Sequence, residues 1–396
     1  MGSLNDLSAQ EIGRRLRLAR EAAGIRQEEA AQIIGMSRPT LVSIEQGVRP
    51  VRPSELQMLA HRFGVSVNGL LRREAVHTDL LPRFRKLRET EDDHTAEAVS
   101  LLNGLIAADV ELENILGIQR RRNYPPEKGI SQGDVSHLAA QHARELREWL
   151  KLGHGPIADI FAVIEFGLGI RLFQRRLSPS SKVAGLFTYD DTVGACIFLN
   201  ANHPLARRVQ SASHEAGHFY GTRRNPEVLE VDEKFLSRDE RYANAFGRAF
   251  LTPEESFTES FRQLRDITGK TSVGLVVRLA HQYGISRQAC VLQLEELSLA
   301  KRGTWEWFVN RGGITDDHAR EVLGEQAWRP DPAKGDASRL VAHRTALMAH
   351  LAWKRDLMTE GQLSELLKIS RLELRQVIDQ TELEDRESDI LFGGQG

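Results

Sequence analysis

Apolar residues recur at helical spacing through most of the chain. Between Ala9 and about Arg73 they fall in short segments separated by glycine turns, which predicts five helices in one compact unit. Helical spacing returns from Thr95 to Ile118, over 135–151 and through most of the C-terminal half. The pattern indicates a mostly α-helical protein.

A different pattern marks the middle of the chain, where β-branched and aromatic residues concentrate between turn residues, as is typical of strands. The three segments are GLGIRLFQRRL, VAGLFTYD and GACIFLN. Pro204 then opens a helix, a polar loop is expected from Thr222 to Arg238, and RDERYANAFGRAFL predicts a second helix. We therefore expect an α+β domain with a small sheet.

Composition narrows the class of protein. With 396 residues, of which 41% are hydrophobic and 27% charged, the chain is ordinary for globular protein with two or three cores. The longest apolar stretch is too short and too charged for a membrane span. The first ten residues lack the pattern of a secretory signal, and two cysteines cannot build a disulfide framework. We expect a cytoplasmic protein without membrane contact.

The sequence His214-Glu215-Ala216-Gly217-His218 lies inside the helix that Pro204 opens. Its two histidines stand one turn apart on the same helix face, so both imidazoles can reach one ion. A catalytic zinc site uses three protein ligands, often imidazoles, and leaves one position for water. Glu215 lies beside that position and can take a proton from the water that attacks a peptide carbonyl. The motif predicts zinc-dependent peptide hydrolysis.

The third zinc ligand is expected downstream. The acidic candidates are Glu227, Glu230, Asp232, Glu233, Asp239 and Glu240. Spacing favours Glu240, because Ala243 and Gly247 on the same helix face are small enough to let this helix approach the HEAGH helix. Asp239 is the main competitor. Arg224 stands where the extended pattern HExxHxxGxxH needs its third histidine, which excludes that pattern.

The residues of these two helices resemble a known family. The run IFLNANHPLARRVQSASHEAGHFYG, followed by ERYANAFGRAFLTP, is similar to the ImmA/IrrE metallopeptidase family (DUF955) over about 135–300. The resemblance implies His214, His218 and Glu240 as zinc ligands and Glu215 as general base. It also implies site-specific cleavage of a helix-turn-helix repressor, which switches genes on under stress or DNA damage.

Cys196 lies in the predicted strand GACIFLN, just before the HEAGH helix. One hypothesis is that its thiolate fills the open zinc position of a resting enzyme as a fourth ligand. The other is that Cys196 is a small buried core residue, as cysteine often is. Cys290 lies on an apolar helix face and is expected in a core.

Residues 11–73 resemble the helix-turn-helix of phage repressors and the Xre family. The resemblance rests on QEEAAQIIGMSRPTLVSIEQG, in which Gln27 opens the first helix of the motif, Gly35 makes the turn and Ser37 caps the second helix. The start of the second helix is expected to face outward, where side chains can reach phosphates or base edges. The candidate nucleic-acid contacts are Gln27, Ser37, Arg38, Pro39, Thr40 and Ser43.

The charge of this region leaves two functions open. Residues 1–75 hold eleven arginines and no lysine against eight acidic residues, and this excess of three positive charges favours an anionic partner. The positive electrostatic field around the motif is weakened by Glu28, Glu29 and Glu45. The same fold also serves as a protein-protein module. Weaker cues of the same kind recur at Gly284-Ile285-Ser286 and between Thr359 and Ser370, where a packing role is expected.

Together these patterns predict an α+β, mostly α, protein of four regions. They are a helix-turn-helix domain at 9–75, a helical linker at 76–134, a zincin-like metallopeptidase domain with a small sheet at 135–300, and a helical C-terminal domain at 301–396.

The leading functional hypothesis is a regulated, Zn²⁺-dependent endopeptidase that cleaves a helix-turn-helix repressor and so induces a stress, DNA-damage or mobile-element defence response. The N-terminal domain would bind DNA, and a homodimer is compatible with the sequence. The alternative is a DNA-binding transcriptional regulator whose peptidase domain acts as a sensor or cleaves in cis. A structural zinc site fits less well, because such sites usually have four ligands rich in cysteine.

Overall fold

The computed structural model of the protein describes residues 9–63, 65, 67, 70, 93–225, 227–230, 237–325 and 341–392. The chain divides into two compact units, Met1–His77 and Thr78–Gly396. None of the helices within the described residues is both long enough and apolar enough to cross a membrane.

The first unit is a small helical bundle. Its described helices are α1 (Ala9–Ala22), α2 (Gln27–Ile33), α3 (Arg38–Glu45) and α4 (Pro53–Phe63). Between α2 and α3, Gly35 has a φ of 68°, a left-handed conformation that favours glycine. Ser37 then caps α3 by accepting a hydrogen bond from the Thr40 amide. The predicted helix-turn-helix is confirmed, whereas the predicted fifth helix lies mostly outside the described residues.

The second unit is built on one four-stranded sheet of order β1-β3-β2-β4. Its strands are β1 (Arg171–Arg175), β2 (Val183–Asp190), β3 (Gly194–Asn200) and β4 (Glu227–Glu230). β3 runs parallel to β1 and antiparallel to β2, which also pairs with β4. The three predicted strands are confirmed. The polar loop expected from Thr222 to Arg238 is wrong at β4, because pairing with β2 makes a strand of a segment too short to show a pattern.

The HEAGH helix packs on one face of the sheet, and other helical segments pack around it. Together these segments are α6 (Val135–Trp149), α7 (Ile160–Ala162) with a π-helical turn (Val163–Leu168), α8 (Leu205–Gly221) and α9 (Arg238–Leu251). Alternate residues of β3, namely Ala195, Ile197 and Leu199, share a core with Ala212 and Ala216 of α8. The HEAGH helix is therefore anchored on the sheet by its apolar side.

Helix α5 (Asp93–Leu116) contacts β1 and β2. Its Asp109 and Glu113 are buried and pair with Arg171 of β1 and with Arg120. Burial opposes ionisation of Asp109, but Arg120 and Arg171 hold the pKa of this carboxyl below its usual range. This helix, which lies in the segment predicted as a helical linker, packs on the sheet of the second unit.

Five further helices share one core. They are α10 (Glu254–Thr268), α11 (Val273–Tyr283), α12 (Arg287–Glu296), α13 (Thr304–Val309) and α14 (Asp316–Leu323). Phe257, Leu275 and Cys290 pack there with Phe308 and Ala319. The boundary predicted between residues 300 and 301 therefore cuts through a continuous hydrophobic core.

The C-terminal helices are α15 (His343–Lys354), α16 (Glu360–Leu367) and α17 (Arg371–Phe392). They pack with the end of α5, where Leu112 joins Met348, Leu363 and Leu374 in one core. Arg344 of α15 also reaches Glu113, with 2.6 Å between Nη1 and Oε1. These contacts tie the C-terminal region to α5 and do not leave it as a separate body.

Candidate metal centre

The two histidines of the HEAGH motif face one another in the interior. His214 and His218 lie one turn apart on α8, and their Nε2 atoms are 3.1 Å apart. His218 is fully buried and His214 is 2% exposed. Burial lowers the pKa of His218, which favours the neutral imidazole that a metal ion binds.

Each imidazole is oriented through its other ring nitrogen. His214 Nδ1 lies 3.1 Å from Oδ1 of Asn244, an atom that can only accept, so Nδ1 carries the proton. His218 Nδ1 lies 3.1 Å from the hydroxyl of Thr222, which donates to the His218 carbonyl and accepts from the ring. Both Nε2 atoms therefore present lone pairs toward the same point, the arrangement of metal-binding histidines.

Glu240 completes the group from α9. Its Oε2 lies 3.3 Å from His214 Nε2, and its Oε1 lies 3.2 Å from His218 Nε2. The structure thus brings together the three side chains that the sequence singled out as ligands.

Glycines allow α9 to approach α8 this closely. A Cβ at Gly247 of α9 would lie 3.0 Å from the His214 amide nitrogen, and a Cβ at Gly217 of α8 would lie 3.0 Å from Cα of Ala243. Backbones can come so near only where side chains are absent or small. The close approach expected from Ala243 and Gly247 is present.

The four facing atoms, two imidazole nitrogens and the two Glu240 oxygens, are spaced as the ligands of one zinc ion would be. In a tetrahedron with zinc-nitrogen distances of 2.0–2.1 Å, ligand atoms are about 3.3 Å apart. The observed separations between the two Nε2 atoms and the Glu240 oxygens are 3.1, 3.2 and 3.3 Å. Glu240 Oε2 is buried and accepts no hydrogen bond from the residues that the structure describes. A cation would balance this convergence of lone pairs and negative charge.

Glu215 adds a second carboxylate to the centre. It is fully buried, and its carboxylate, with the imidazoles of His214 and His218, offers three ligand-type atoms within 4.8 Å of one another. Glu240 faces both Nε2 atoms, and Glu215 adds a second buried carboxylate beside the same two imidazoles. Two nitrogen ligands, one carboxylate ligand and an adjacent base make up the donor set of a hydrolytic zinc site.

Of the other acidic candidates, Asp239 is the one whose side chain the structure describes. Asp239 is half-buried on α9, next to Glu240 but one position round the helix. Glu227 and Glu230 lie in β4, and nothing is described of their side chains. Asp232 and Glu233 lie outside the described residues.

Comparison with known protein families fits this geometry. Residues 167–295 match the IrrE N-terminal-like domain, a peptidase family. The segment includes β1–β4, α8 and α9, and with them both histidines and both carboxylates. Residues 11–74 match a helix-turn-helix domain. The chain therefore combines an IrrE-like domain of metallopeptidase type with a helix-turn-helix domain, as the resemblance predicted.

Two other comparisons add nothing to the assignment. A comparison with curated proteins found no match. Among solved structures, the crystal structure of ComR from Streptococcus suis matches with 12% sequence identity and 96% of each chain covered. Its TM-score of 0.16 is too low to indicate a shared fold.

Cys196 lies apart from the histidines of the IrrE-like domain. Its neighbours along β3, Ala195 and Ile197, face α8, so alternation turns Cys196 to the opposite face of the sheet, where Arg171 and Asp109 lie. Burial raises the pKa of its thiol to about 12, although Arg171 opposes this. The hypothesis of a thiolate at the open zinc position therefore has no geometric support.

The candidate nucleic-acid contacts divide into two groups. Gln27 donates from Nε2 to Oε2 of the buried Glu45, which also pairs with Arg20, so the Gln27 amide links helices of the bundle. Ser43 likewise bonds within α3, to the Pro39 carbonyl at 3.0 Å. Three others, Ser37, Arg38 and Pro39, are exposed, and Thr40 is half-buried. Arg38 is the one among them that carries charge.

Sequence reasoning missed the two residues that orient the imidazoles. Thr222 stands four residues after His218, and Asn244 stands four residues after Glu240. A hydroxyl or amide one helical turn from an expected ligand is the signal that could have found them.

Proposed function

We propose that the IrrE-like domain is a zinc-dependent endopeptidase, with His214, His218 and Glu240 as ligands and Glu215 as general base. The observation that carries the proposal is the meeting of two oriented imidazoles and the Glu240 carboxylate within 3.1–3.3 Å. The match of residues 167–295 to a peptidase family supports it.

The chain's own residues divide the work of hydrolysis. When bound, zinc supplies a Lewis acid that polarises the peptide carbonyl and lowers the pKa of water. Glu215 takes the proton of the attacking water and returns it to the leaving amine. Asn244 and Thr222 hold the imidazoles in one tautomer, and the enclosing core keeps bulk water from the carboxylates.

For the substrate, we propose a helix-turn-helix repressor whose cleavage induces a stress, DNA-damage or defence response in the cytoplasm. The support is the family resemblance together with the presence of a helix-turn-helix domain in the same chain. That domain would bring the peptidase to the repressor, either on DNA or by direct contact.

A second candidate function is transcriptional regulation by the chain itself. It is favoured by the helix-turn-helix match over 11–74 and by the exposed Arg38 at the start of α3. In this case the IrrE-like domain would act as a sensor, and loss of its proteolysis would leave operator binding intact.

The variant Glu215→Gln tests the enzyme. We expect zinc content measured by mass spectrometry to equal that of the wild type, because Glu215 is not proposed as a ligand. Cleavage of a repressor encoded next to this gene should fall at least about 100-fold, since a general base contributes roughly 10²–10⁴-fold. The chelator-treated wild type should lose cleavage and regain it with added zinc.

The matched control is Glu148→Gln, the same change at an exposed glutamate of α6. It should leave zinc content and cleavage unchanged. Full cleavage by Glu215→Gln would refute the general base. Absence of zinc-dependent cleavage in the wild type, together with normal promoter control by Glu215→Gln, would favour the regulator.

A further inference from the structure

Gly185 lies in the interior of β2, where a glycine weakens a strand and needs a reason. The backbone does not supply one, since Gly185 is not among the residues with positive φ. Its pairing partner in β3 is Leu199, which faces α8, so the missing side chain of Gly185 also points toward the HEAGH helix.

The Glu215 carboxylate occupies the space that a side chain at this position would fill. A Cβ on Gly185 would lie 2.6 Å from Glu215 Oε1 and 3.5 Å from its Cδ. The carbonyl oxygen of Phe198, at 3.3 Å, is the other near atom. Any residue larger than glycine would therefore have to push the carboxylate away.

The strand is also irregular at this point. β2 pairs Val183 with Glu230 and Gly185 with Leu229, so Ala184 is an extra residue on the β2 side of this ladder. Such a bulge changes the direction in which neighbouring side chains point, and bulges are common beside active sites. Next to the bulge, Gly185 therefore leaves one position of bare backbone against the Glu215 carboxylate.

We propose that Gly185 is a positioning residue for the general base: its bare backbone lets the Glu215 carboxylate lie against β2, beside the two histidines. This inference rests on the proposed peptidase function. It separates two tasks of the centre, because the zinc ligands are held by contacts between α8 and α9, whereas the base is placed by the sheet.

The test is Gly185→Ala. We expect zinc content and zinc affinity to match the wild type, kcat for repressor cleavage to fall about 100-fold, as misplacement by roughly 1 Å can cause, and KM to stay unchanged. The control is Gly274→Ala in α11, where a Cβ would meet its nearest neighbour at an ordinary 3.5 Å. Wild-type kcat in Gly185→Ala would overturn the proposal.

A second measurement needs no substrate. Gly185→Ala should lower Tm by roughly 5 °C in the wild-type background and by much less in a Glu215→Ala background, where the crowding carboxylate is gone. An equal loss of Tm in both backgrounds, or failure of both variants to fold, would show that the Phe198 carbonyl is what a side chain at position 185 meets. That result would refute the contact with Glu215. The Tm comparison decides this contact even if the wild type cleaves nothing, so the two proposals can fail separately.

Discussion

The histidine centre and the helix-turn-helix unit keep their polar side chains in opposite environments. His214, His218 and Glu240 are buried, and each has a fixed neighbour in the structure. Arg38, the charged candidate at the start of α3, is exposed. A buried polar group indicates its function, because a buried lone pair or charge needs a partner. Where the surrounding residues do not supply that partner, their arrangement indicates which ligand would. An exposed arginine is balanced by water and reveals little.

The largest expected effect is that of Glu240→Ala on zinc affinity. Removing the carboxylate leaves the two imidazoles as the remaining ligands, and zinc affinity should fall at least roughly 100-fold, since even changes around metal ligands cost about 10–100-fold. Competition with a chromogenic chelator measures the change. The control is the neighbouring Asp239→Ala, which should leave zinc affinity unchanged. The reverse outcome would make Asp239 the ligand and contradict the geometry of α9.

The meeting of His214, His218 and Glu240 was predictable from sequence, because it depends on helix geometry. His214 and His218 share a face by spacing, and the small residues of α9 signalled its close approach to α8. What sequence did not reveal depends on contacts between distant segments. β4 is a strand only because β2 pairs with it. Of the two hypotheses for Cys196, the buried core position is the one that the structure supports.

The role of α5 was hidden for the same reason. Its amphipathic pattern predicted a helix but not its place in the fold. Asp109 and Glu113 meet Arg171, and Glu113 also meets Arg344, more than 200 residues further along the chain. Such pairing of buried charges can be read only after the segments have been brought together.

A repeated turn sharpens the contrast between buried and exposed arginines. Ser37-Arg38 and Ser286-Arg287 each follow a left-handed glycine and open a helix, yet Arg287 is buried. It donates to the Ile314 carbonyl at 3.0 Å and to Asp316 at 2.9 Å. The unit of α11 and α12 therefore uses this arginine for packing, as expected from its sequence.

Arg287→Ala should lower the free energy of unfolding by about 2 kcal/mol, because a buried ion pair loses one partner while Asp316 stays partly solvated. Chemical denaturation measures the loss. Arg38→Ala is the matched exposed change, and its effect on stability should remain within roughly 0.5 kcal/mol. Equal losses of unfolding free energy in the two variants would show that Arg287 stabilises its turn no more than Arg38 does.

The smallest effect is expected on DNA affinity. If Arg38 holds a phosphate, Arg38→Ala should weaken binding by roughly fivefold on all sequences and reduce the slope of log affinity against log salt by about 0.9. If it reads guanine, the loss should be confined to one position of the operator. Fluorescence anisotropy at several salt concentrations separates these cases, with Arg371→Ala, the exposed arginine after Ser370, as control. If Arg38→Ala leaves both the DNA affinity and its salt dependence unchanged, Arg38 makes no DNA contact. A protein-docking role for the unit would then be favoured.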